Sequence, residues 1–534
     1  MTGPAATLPP PCVLHEDEHV LAVCKPAGWN THSPSPYAGE GIFEWLRDRE
    51  PRWRGLAIVH RLDKDTSGIL LFPKTALARR SLTGQFSRQE IRKRYELLTD
   101  RTAPDGELRV ESSIIRAGSR YRSVPPGPRG PLAVTLFSAA TGLNVGARLV
   151  SATPLTGRTH QIRVHAAASG FPVLGDALYG GSPAARLCLH AASIGYRDPS
   201  TGEARSLAIA ADFAADPAEA LRAAFIDPQE TSAFRLLHGA ADQSPGCRVD
   251  RLGEFLLAQG EEPPGEKQLA ALSARGYRGV YFRRSSRQVR ETPAAEAAPR
   301  SIAGEPAPER FTVSENGACY ELGFAEGYSV GLFLDQRDNR RRFLTRHVAA
   351  DFPLYAPEAA APEVLNAFAY TCGFSVCAAL GGARVTSLDL SKKYLDWGRR
   401  NFALNGLDPA AHDFIFGDAF DWLRRLARRQ RRFDALVLDP PTFSQSKQHG
   451  RFRVEHDYPR LLSAALPLLA PGGVLLACAN TVRLEAPRFM EMVNDAVRAA
   501  GRGIVQAHYA PQPPDFPVSR EEPAYLKTCW LRLD

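Results

Sequence analysis

Several features of secreted and membrane proteins are absent from this chain of 534 residues. Its nine cysteines are scattered and odd in number, and no pair has the Cys-x-x-Cys spacing of a zinc site or redox motif. The first residues lack the basic start and apolar core of a secretory signal. The longest apolar region, 461–479, is interrupted by Pro467 and Pro471, so it predicts helix, turn and strand and not a membrane span. We expect a reduced, soluble, cytoplasmic protein.

Composition and charge narrow the function only a little. Hydrophobic residues make up 44% of the chain and charged residues 23%, as in globular domains, and the length allows two or more cores. The formal net charge of +8 favours an anionic partner such as nucleic acid, although so small an excess is spread over a large surface. Motifs must therefore decide the function.

Changes in local pattern divide the first part of the chain into three segments. Residues 1–222 contain short β-rich runs between Gly/Pro turns, among them 95–98 and 161–164, and predict an α+β domain with a mainly antiparallel sheet. Residues 223–290 predict a small α/β domain. Residues 291–308 are dominated by Ala, Pro and Glu and predict a linker.

The pattern changes in the last segment, 309–534. Between residues 364 and 479, apolar strands alternate with amphipathic helices, as in the strand at 385–390 and the helix at 392–404. This alternation is typical of βαβ units and predicts an α/β, Rossmann-like domain with a mostly parallel, doubly wound sheet. Such a sheet binds its ligand at the carboxyl ends of its strands.

Segment 60–68 reads His-Arg-Leu-Asp-Lys-Asp-Thr-Ser-Gly and lies between two apolar runs, 56–59 and 69–72. The pattern predicts a polar turn held between two strands, and an ordinary solvated hairpin loop has the same residue types. The whole string resembles the signature of the RluA family of RNA pseudouridine synthases. The resemblance implies that Asp63 is the catalytic nucleophile of a reaction that needs no cofactor.

Three further motifs resemble the same family and occur in its order. They are Lys25-Pro-Ala-Gly28, Lys93-Arg-Tyr95, and Thr-Gly-Arg-Thr-His-Gln-Ile-Arg-Val-His at 156–165, which is followed by Leu-Gly-Asp-Ala-Leu-Tyr-Gly at 174–180. Together they span about 200 residues, and four motifs in order are far more specific than one. Lys25 could nevertheless do no more than brace a turn.

The resemblance also implies roles for residues around the nucleophile. Tyr95 would pack near the base, Arg163 would be the ionic partner of Asp63, and Arg61 would bind RNA by filling the space left by a flipped uridine. Two alternatives stay open on the residues alone. Tyr95 alternates on a predicted strand and could be ordinary core, and Arg158 competes with Arg163 for the ion pair.

Polar residues in the second half fall at the expected carboxyl ends of strands. A glycine turn at 366–373 follows the first strand and Asp389 ends the next, which suits any nucleoside-containing cofactor, NAD included. With Gly417-Asp418 and Asp439-Pro-Pro-Thr-Phe443, the pattern resembles the class I S-adenosylmethionine (SAM) methyltransferases. The string Gly331-Leu-Phe-Leu-Asp-Gln-Arg337 narrows the resemblance to enzymes that methylate large-subunit (23S) ribosomal RNA.

This resemblance implies SAM as the cofactor of the second half. The small domain at 223–290 resembles the one that precedes the methyltransferase in that group. One departure is Cys372, which stands where the family often has glycine. The resemblance implies RNA contacts by Pro440 and Phe443, and the following residues for the cofactor: Phe333, Gln336, Arg337, Asn366, Gly373, Asp389, Asp418 and Asp439.

The methylated atom can be predicted from a missing residue. C5 of cytosine is a weak nucleophile, so enzymes that methylate it first add a cysteine to C6, whereas guanine N7 carries a lone pair and needs mainly positioning. In the related cytosine enzymes that cysteine follows the fifth strand, where this chain has Asn480. Cys478 lies two residues too early and is better interpreted as a buried strand residue. Guanine N7 is therefore favoured over cytosine C5.

We therefore predict a bifunctional enzyme, a pseudouridine synthase fused to a SAM-dependent ribosomal RNA methyltransferase. Its expected partner is RNA, namely 23S ribosomal RNA or its precursor, and we expect no membrane, no metal and a monomeric state. One rival is a ribosome-assembly factor in which one or both sites only hold RNA. Another is a methyltransferase whose N-terminal half delivers RNA.

Overall fold

The computed structural model describes residues 9–128, 130–138, 141–142, 146–285, 297–326, 329–356, 361–446 and 450–534. Its N-terminal part is built on one large sheet. The helices there are Ile42–Arg47 (α1), Ala76–Ser87 (α2), Gln161–Ala168 (α3) and Pro217–Phe225 (α4). The strands are Val13–Glu16 (β1), Val20–Lys25 (β2), Ser67–Pro73 (β3), Arg92–Thr99 (β4), Leu108–Ala117 (β5), Arg120–Val124 (β6), Leu132–Phe137 (β7), Thr141–Gly142 (β8), Arg148–Pro154 (β9), Leu189–Arg197 (β10) and Ala204–Ala208 (β11).

The large sheet has the strand order β1-β2-β3-β10-β4-β9-β7-β5-β6, with β11 paired to β10 and β8 to β9. Among the described strands of this sheet, β3 and β10 pair in parallel and the other pairs are antiparallel. The predicted α+β domain with a mainly antiparallel sheet is therefore confirmed. Gly68 has φ +119°, and a Cβ there would lie 2.7 Å from Cα of Ala191, so glycine is required where β3 meets β10.

Two local predictions in this part were wrong. Residues 161–164 open helix α3 and do not form a strand, because this stretch is buried against the sheet and its tertiary packing overrides a weak strand preference. Residues 56–59 form no strand either. Segment 60–68 therefore leads from an irregular loop into β3, and its polar residues are not the turn of a hairpin.

A small sheet follows, with the order β12-β13-β14-β15-β16. The linker predicted at 291–308 was wrong for 300–304, because this segment pairs with the sheet as its edge strand and packs Ile302 and Ala303 against the apolar core. Residues 291–296 lie outside the described residues. The elements are Ala233–His238 (β12), Arg248–Leu252 (β13), Phe255–Gly260 (β14), Glu266–Ser273 (α5), Gly279–Arg284 (β15) and Arg300–Gly304 (β16).

The C-terminal part is built on a third sheet with helices on both faces. Its helices are Arg337–Thr345 (α6), Gly373–Leu380 (α7), Lys392–Leu404 (α8), Ala419–Arg428 (α9), Val454–Ala465 (α10) and Ala486–Ala499 (α11). Its strands and the hairpins around it are Phe311–Glu315 (β17), Ala318–Leu322 (β18), His347–Ala349 (β19), Phe352–Pro353 (β20), Glu363–Ala367 (β21), Arg384–Asp389 (β22), Asp413–Phe416 (β23), Phe433–Leu438 (β24), Phe443–Ser446 (β25), Gly450–Arg453 (β26), Leu469–Asn480 (β27), Ile504–Ala510 (β28) and Leu526–Leu533 (β29).

The third sheet has the order β23-β22-β21-β24-β27-β29-β28. Strands β21 to β24 and β27 are parallel, and β29 runs antiparallel to both its neighbours. The predicted Rossmann-like fold is confirmed. Strand order reverses between β21 and β24, which is where a doubly wound sheet holds its ligand.

Asp515 ties separate parts of the chain together in the interior. Its carboxylate accepts from Nη1 and Nη2 of Arg337 at 2.9 and 2.7 Å and from the backbone N of Arg235 at 2.9 Å. Its carbonyl oxygen accepts from Nη2 of Arg222 on α4. The N-terminal sheet domain, the small sheet and α6 are thus joined at one buried residue. No helix in the described ranges is long and apolar enough to cross a bilayer.

Candidate active sites

A cleft of about 1010 Å³ opens beside segment 60–68. Asp63 is the one acidic residue among the described residues that line it. Five lining residues are Lys or Arg, so the cleft surrounds one carboxylate with positive charge and suits a polyanion. These five are Arg61, Lys64, Lys93, Arg158 and Arg163.

Arg163 faces Asp63 as a fixed positive charge. Its Nη1 lies 3.8 Å from Oδ2 of Asp63, whose side chain is 30% exposed. A second carboxylate, Asp176, holds the same guanidinium through Nε at 2.7 Å and Nη2 at 2.8 Å. Burial opposes the charge, but the hydrogen bonds and charge of Asp176 raise the pKa of Arg163. Such a two-point contact fixes the orientation of the guanidinium as well as its charge.

His160 is a member of this site that the sequence reasoning missed. Its Nε2 lies 3.9 Å from Oδ2 of Asp63, and its Nδ1 lies 2.8 Å from the hydroxyl of Tyr179. Burial lowers the pKa of His160, and the charge of Asp63 opposes that shift. Both His160 and Tyr179, like Asp176, lie within the motifs quoted above, so a signal for them was present in the sequence.

Tyr95 and Arg61 line the same cleft as Asp63. Tyr95 is half-buried on β4 and also packs against the apolar core. Burial, with the charge of Asp63, raises the pKa of Tyr95, so its hydroxyl stays protonated. Arg61 is exposed, as an RNA-contacting side chain would be. Arg158 directs Nε to the carbonyl oxygen of Leu132, which leaves Arg163 as the arginine beside Asp63.

Lys25 braces a turn, as the alternative interpretation of its motif had it. The side chain is fully buried, and its Nζ donates to three carbonyl oxygens. The distances are 2.8 Å to Pro26, 2.6 Å to Trp29 and 2.9 Å to Lys64. Because Lys64 follows Asp63 directly, Lys25 fixes the loop that carries Asp63 to the turn after β2.

A second site lies at the carboxyl end of β24. Oδ2 of Asp439 accepts a hydrogen bond from Nε2 of Gln336 at 3.0 Å. Burial, and then the charge of Asp335, raises the pKa of Asp439 to about 7. Burial also raises the pKa of Asp335. Two carboxylates that repel each other favour a cationic ligand, because it would relieve that repulsion.

Asp389 lies at the end of β22, next to this site. Its Oδ2 accepts from the backbone N of Tyr370 at 2.8 Å, and its Oδ1 accepts from the backbone N of Ser391 at 2.8 Å. Burial raises the pKa of Asp389. Each carboxylate oxygen has a further lone pair, so Asp389 can also accept from ribose hydroxyls.

The turn at 366–373 has an unusual backbone. Cys372 has φ +65°, a left-handed conformation that favours glycine, which explains why a glycine often stands there in the family that this half resembles. Its buried side chain packs against α8, where a Cβ on Gly398 would collide with Sγ of Cys372. Asn366 donates to Oγ of Ser375 at 2.9 Å, and Gly373 begins α7.

Exposed apolar side chains flank these carboxylates, and the sequence reasoning missed two of them. Leu390 is 56% exposed and follows Asp389, and Phe416 is 57% exposed and precedes Gly417-Asp418. Oδ1 of Asp418 caps α9 by accepting from the backbone N of Phe420 at 2.9 Å. Apolar groups beside carboxylates, with an acidic pair at the next strand end, fit SAM, which has an adenine ring, a ribose and a cationic sulfonium.

The structure contradicts one cofactor contact predicted from the sequence. Arg337 is buried and commits both Nη atoms to Asp515, so its role is structural. Phe333 is 48% exposed and its ring centroid lies 5.2 Å from that of Tyr370. The predicted contacts of Phe333 with the cofactor stay a prediction.

The loop after Asp439 carries the two residues predicted to contact RNA in this half. Pro440 is buried and Phe443, half-buried, begins β25. Oγ1 of Thr442 donates to the carbonyl oxygen of Asn480, which ties this loop to the end of β27. The roles of Pro440 and Phe443 stay predictions.

Comparison with known proteins matches the two halves of the chain to different families. Residues 269–532 match the family described as S-adenosylmethionine-dependent methyltransferase, and residues 19–168 match RNA pseudouridylate synthase. The chain is 34% identical to ribosomal RNA large subunit methyltransferase I of Klebsiella pneumoniae over 326 residues, which is 59% of this chain and 78% of that protein.

Two further similarities are consistent with this. A ribosomal RNA large subunit methyltransferase of Deinococcus radiodurans is 34% identical over 333 residues, covering 60% of this chain and 78% of the relative. The fold is shared with a structure described as a SAM-dependent methyltransferase from Streptococcus mutans, which is 24% identical with a TM-score of 0.50. The match covers 64% of this chain and 87% of that chain. The methyl donor is therefore SAM. The chain belongs to the S-adenosylmethionine-dependent methyltransferase family and carries, in its N-terminal half, a domain of the RNA pseudouridylate synthase family.

Proposed function

We propose that this chain modifies large-subunit ribosomal RNA twice, by isomerising a uridine to pseudouridine and by methylating N7 of a guanine. The first activity is carried by one observation, the convergence of Asp63, Tyr95 and Arg163 in a single basic cleft. The relatives from Klebsiella pneumoniae and Deinococcus radiodurans are named for large-subunit ribosomal RNA, which supports the same RNA class here.

In the N-terminal cleft, Asp63 acts on the sugar or base while the N1–C1′ bond between uracil and ribose breaks and a C5–C1′ bond forms. The proton lost from C5 is balanced by one gained at N1. Arg163, held by Asp176, places its positive charge 3.8 Å from that carboxylate. Tyr95 packs against the base, and Arg61 takes the place of the flipped uridine. Flipping costs a few kcal/mol, which a replacement for the lost stacking offsets.

In the C-terminal site, bound SAM supplies an electrophilic methyl group. Asp389 would accept from the ribose hydroxyls of SAM, and Leu390 and Phe416 would cover its adenine ring. Asp439 and the neighbouring Asp335 would stabilise the positively charged part of SAM.

Pro440 and Phe443 position the target base next to the methyl group. Guanine N7 needs no covalent activation, so orientation supplies most of the rate. The buried cysteines support this choice of atom. Burial raises the pKa of Cys478 well above its usual value, and Asn480 stands at the strand end where the cytosine enzymes place their thiol. Burial raises the pKa to about 12 for Cys372, Cys377 and Cys529.

The test is to incubate the intact chain with large-subunit ribosomal RNA and SAM and to analyse the nucleosides by mass spectrometry with a pseudouridine-specific label. Pseudouridine and 7-methylguanosine are expected. Asp63→Ala should lose pseudouridine alone, whereas Asp65→Ala, an exposed carboxylate of the same loop, should keep both products. Asp389→Ala should lose methylation alone, with Asp396→Ala on exposed α8 surface as its control.

Each rival predicts a different outcome. Appearance of 5-methylcytidine would overturn the choice of guanine N7. Methylation without pseudouridine would leave a methyltransferase with an RNA-delivering N-terminal half, and absence of both products would favour a ribosome-assembly factor.

A further inference from the structure

A second cavity, of about 300 Å³, lies where the N-terminal and C-terminal parts of the chain meet. Helix α1 and the loop at 33–39 form one wall, and α6 and β28 form the other. Ser35, Pro36 and Ala507 line it and are exposed, so the cavity opens to solvent. Neither catalytic centre described above contributes to its lining.

Arg49 lines this cavity without a carboxylate partner. In the described part of the chain no acidic oxygen lies within 4.0 Å of its guanidinium, and its Nε is buried without a hydrogen-bond acceptor. The guanidinium lies 4.8 Å from the ring centroid of Trp45. Burial and the nearby charge of Arg341 lower the pKa of Arg49 to about 9, against the opposing charges of Asp338 and Glu50. The group is still charged at neutral pH.

Arg342 is a second cation of the cavity that is held by neutral groups. Its Nε donates to the carbonyl oxygen of Val348 at 2.8 Å, and its Nη1 donates to the carbonyl oxygen of Asp338 at 2.9 Å. Its Nη2 lies 3.5 Å from Nε2 of His508. Burial lowers the pKa of His508 to about 3, so this imidazole is neutral and brings no charge to the cavity.

The carboxylates that line the cavity are already engaged. Asp48 binds Arg47 at 2.9 Å, Asp338 accepts from Nε1 of Trp45 at 3.2 Å, and Glu44 accepts from the backbone N of Ser33 at 2.8 Å. Arg341 pairs with Glu50. Among the described residues, neither Arg49 nor Arg342 thus has a carboxylate within ion-pair distance, although Asp338 acts on both from further away. An anion bound between the two guanidinium groups would give each of them a direct partner.

We propose that this cavity is a phosphate-binding site, with the phosphate held between Arg49 and Arg342. Guanidinium groups recognise phosphate through paired N–H donors, and the volume leaves room for an attached ribose. The phosphate comes either from an RNA backbone or from free inorganic phosphate. The RNA source rests on the proposed function, since a strand seated here would touch both halves, whereas the free phosphate does not.

Inorganic phosphate is the first probe, titrated calorimetrically into the intact chain. Wild type should bind it, and Arg49→Met and Arg342→Met should each weaken binding at least about tenfold. Arg498→Met is the matched control, because it removes one positive charge from the exposed end of α11 and should bind like wild type. Without phosphate, Arg49→Met should melt no lower than wild type, because Arg49 forms no ion pair within 4.0 Å among the described residues and its Nε has no acceptor.

The second probe is large-subunit ribosomal RNA, bound over a range of salt concentrations. If the phosphate belongs to RNA, the plot of log affinity against log salt should be less steep for Arg49→Met and for Arg342→Met. In each case the magnitude of the slope should fall by about 1 relative to Arg498→Met. If it is free phosphate, that slope equals the control while binding of inorganic phosphate is lost. Absence of phosphate binding by wild type, together with unchanged RNA slopes, overturns the proposal. Pseudouridine and methylguanosine are measured separately, so failure of the proposed function is distinguishable.

Discussion

The substitution Gly398→Ala should disturb the turn at 366–373, and a second substitution, Cys372→Gly, should repair it. Gly398 lies in α8 directly against the buried Sγ of Cys372, and a Cβ at Gly398 would collide with that sulfur. Gly398→Ala therefore forces either the helix or the turn at 366–373 to move. Cys372→Gly removes the colliding atoms. The nearest remaining atom to a Cβ at residue 398 is then the carbonyl carbon of Thr371 at 3.6 Å, which is an ordinary contact.

The magnitudes follow from opposing contributions. Alanine in place of glycine favours a helix interior by about 1 kcal/mol, but overpacking a buried site costs about 1–3 kcal/mol. Gly398→Ala alone should thus lower the free energy of unfolding by up to about 2 kcal/mol. Cys372→Gly alone should be close to neutral, because it relieves about 1–2 kcal/mol of left-handed strain while it deletes a buried side chain. The double variant should be about 1 kcal/mol more stable than wild type, because alanine then favours the helix without the collision. The two substitutions should therefore show a coupling energy of about 1–3 kcal/mol.

The assay is urea unfolding of the four proteins in this double-mutant cycle, with SAM affinity measured by calorimetry in parallel. Gly398→Ala should weaken SAM binding, and the double variant should recover it. If the two substitutions are additive within about 0.5 kcal/mol, the contact carries no energy and the reasoning is refuted.

Three other perturbations test the two sites. Because the pKa of Asp439 is raised to about 7, protonation of this carboxyl stabilises the folded chain. The free energy of unfolding should therefore fall as pH rises from about 4 through 7, by about 3 kcal/mol between pH 5 and pH 8. Asp439→Asn should lack that decline in urea unfolding without SAM, and an unchanged pH dependence would argue against the acidic pair. Asp176→Asn should release Arg163 and reduce pseudouridine formation at least about tenfold while methylation persists, since breaking a buried pair costs about 3–5 kcal/mol; equal rates would remove Asp176 from the mechanism. Lys25→Met should lower the melting temperature and pseudouridine yield together, because three carbonyl oxygens lose their donor; a wild-type yield would show that the loop holds without it.

Local signals predicted the parts of the fold that local physics decides. Helix α8 was predicted with its observed bounds, because its apolar spacing is regular and Ser391 caps it by accepting from the backbone N of Tyr394. The carboxyl-end positions of Asp389 and Asp439 followed from the same alternation of strands and helices. The motifs also brought Asp63, Tyr95 and Arg163 to one cleft, as their resemblance implied.

Long-range packing decided what the sequence could not show. The motif at 331–337 predicts Arg337 as a cofactor ligand, but its partner Asp515 lies 178 residues away. Residues 161–164 have a strand-like composition and fold as a helix, because burial against the sheet outweighs a propensity of about 1 kcal/mol or less. The exposed Leu390 and Phe416 were missed because apolar residues after a strand look like more strand.

The buried position of Asp515 also has a consequence for folding during synthesis on the ribosome. A ribosome makes Arg222, Arg235 and Arg337 long before it makes the carboxylate and carbonyl that receive them. Segments of a large protein can fold as they emerge, at about 5–20 residues per second. Arg222 and Arg235 can pair with Asp242 and Asp250 as soon as these are made, whereas Arg337 lacks its bidentate partner for the many seconds that separate it from Asp515. The buried cluster that joins the three segments is therefore completed only near the end of synthesis.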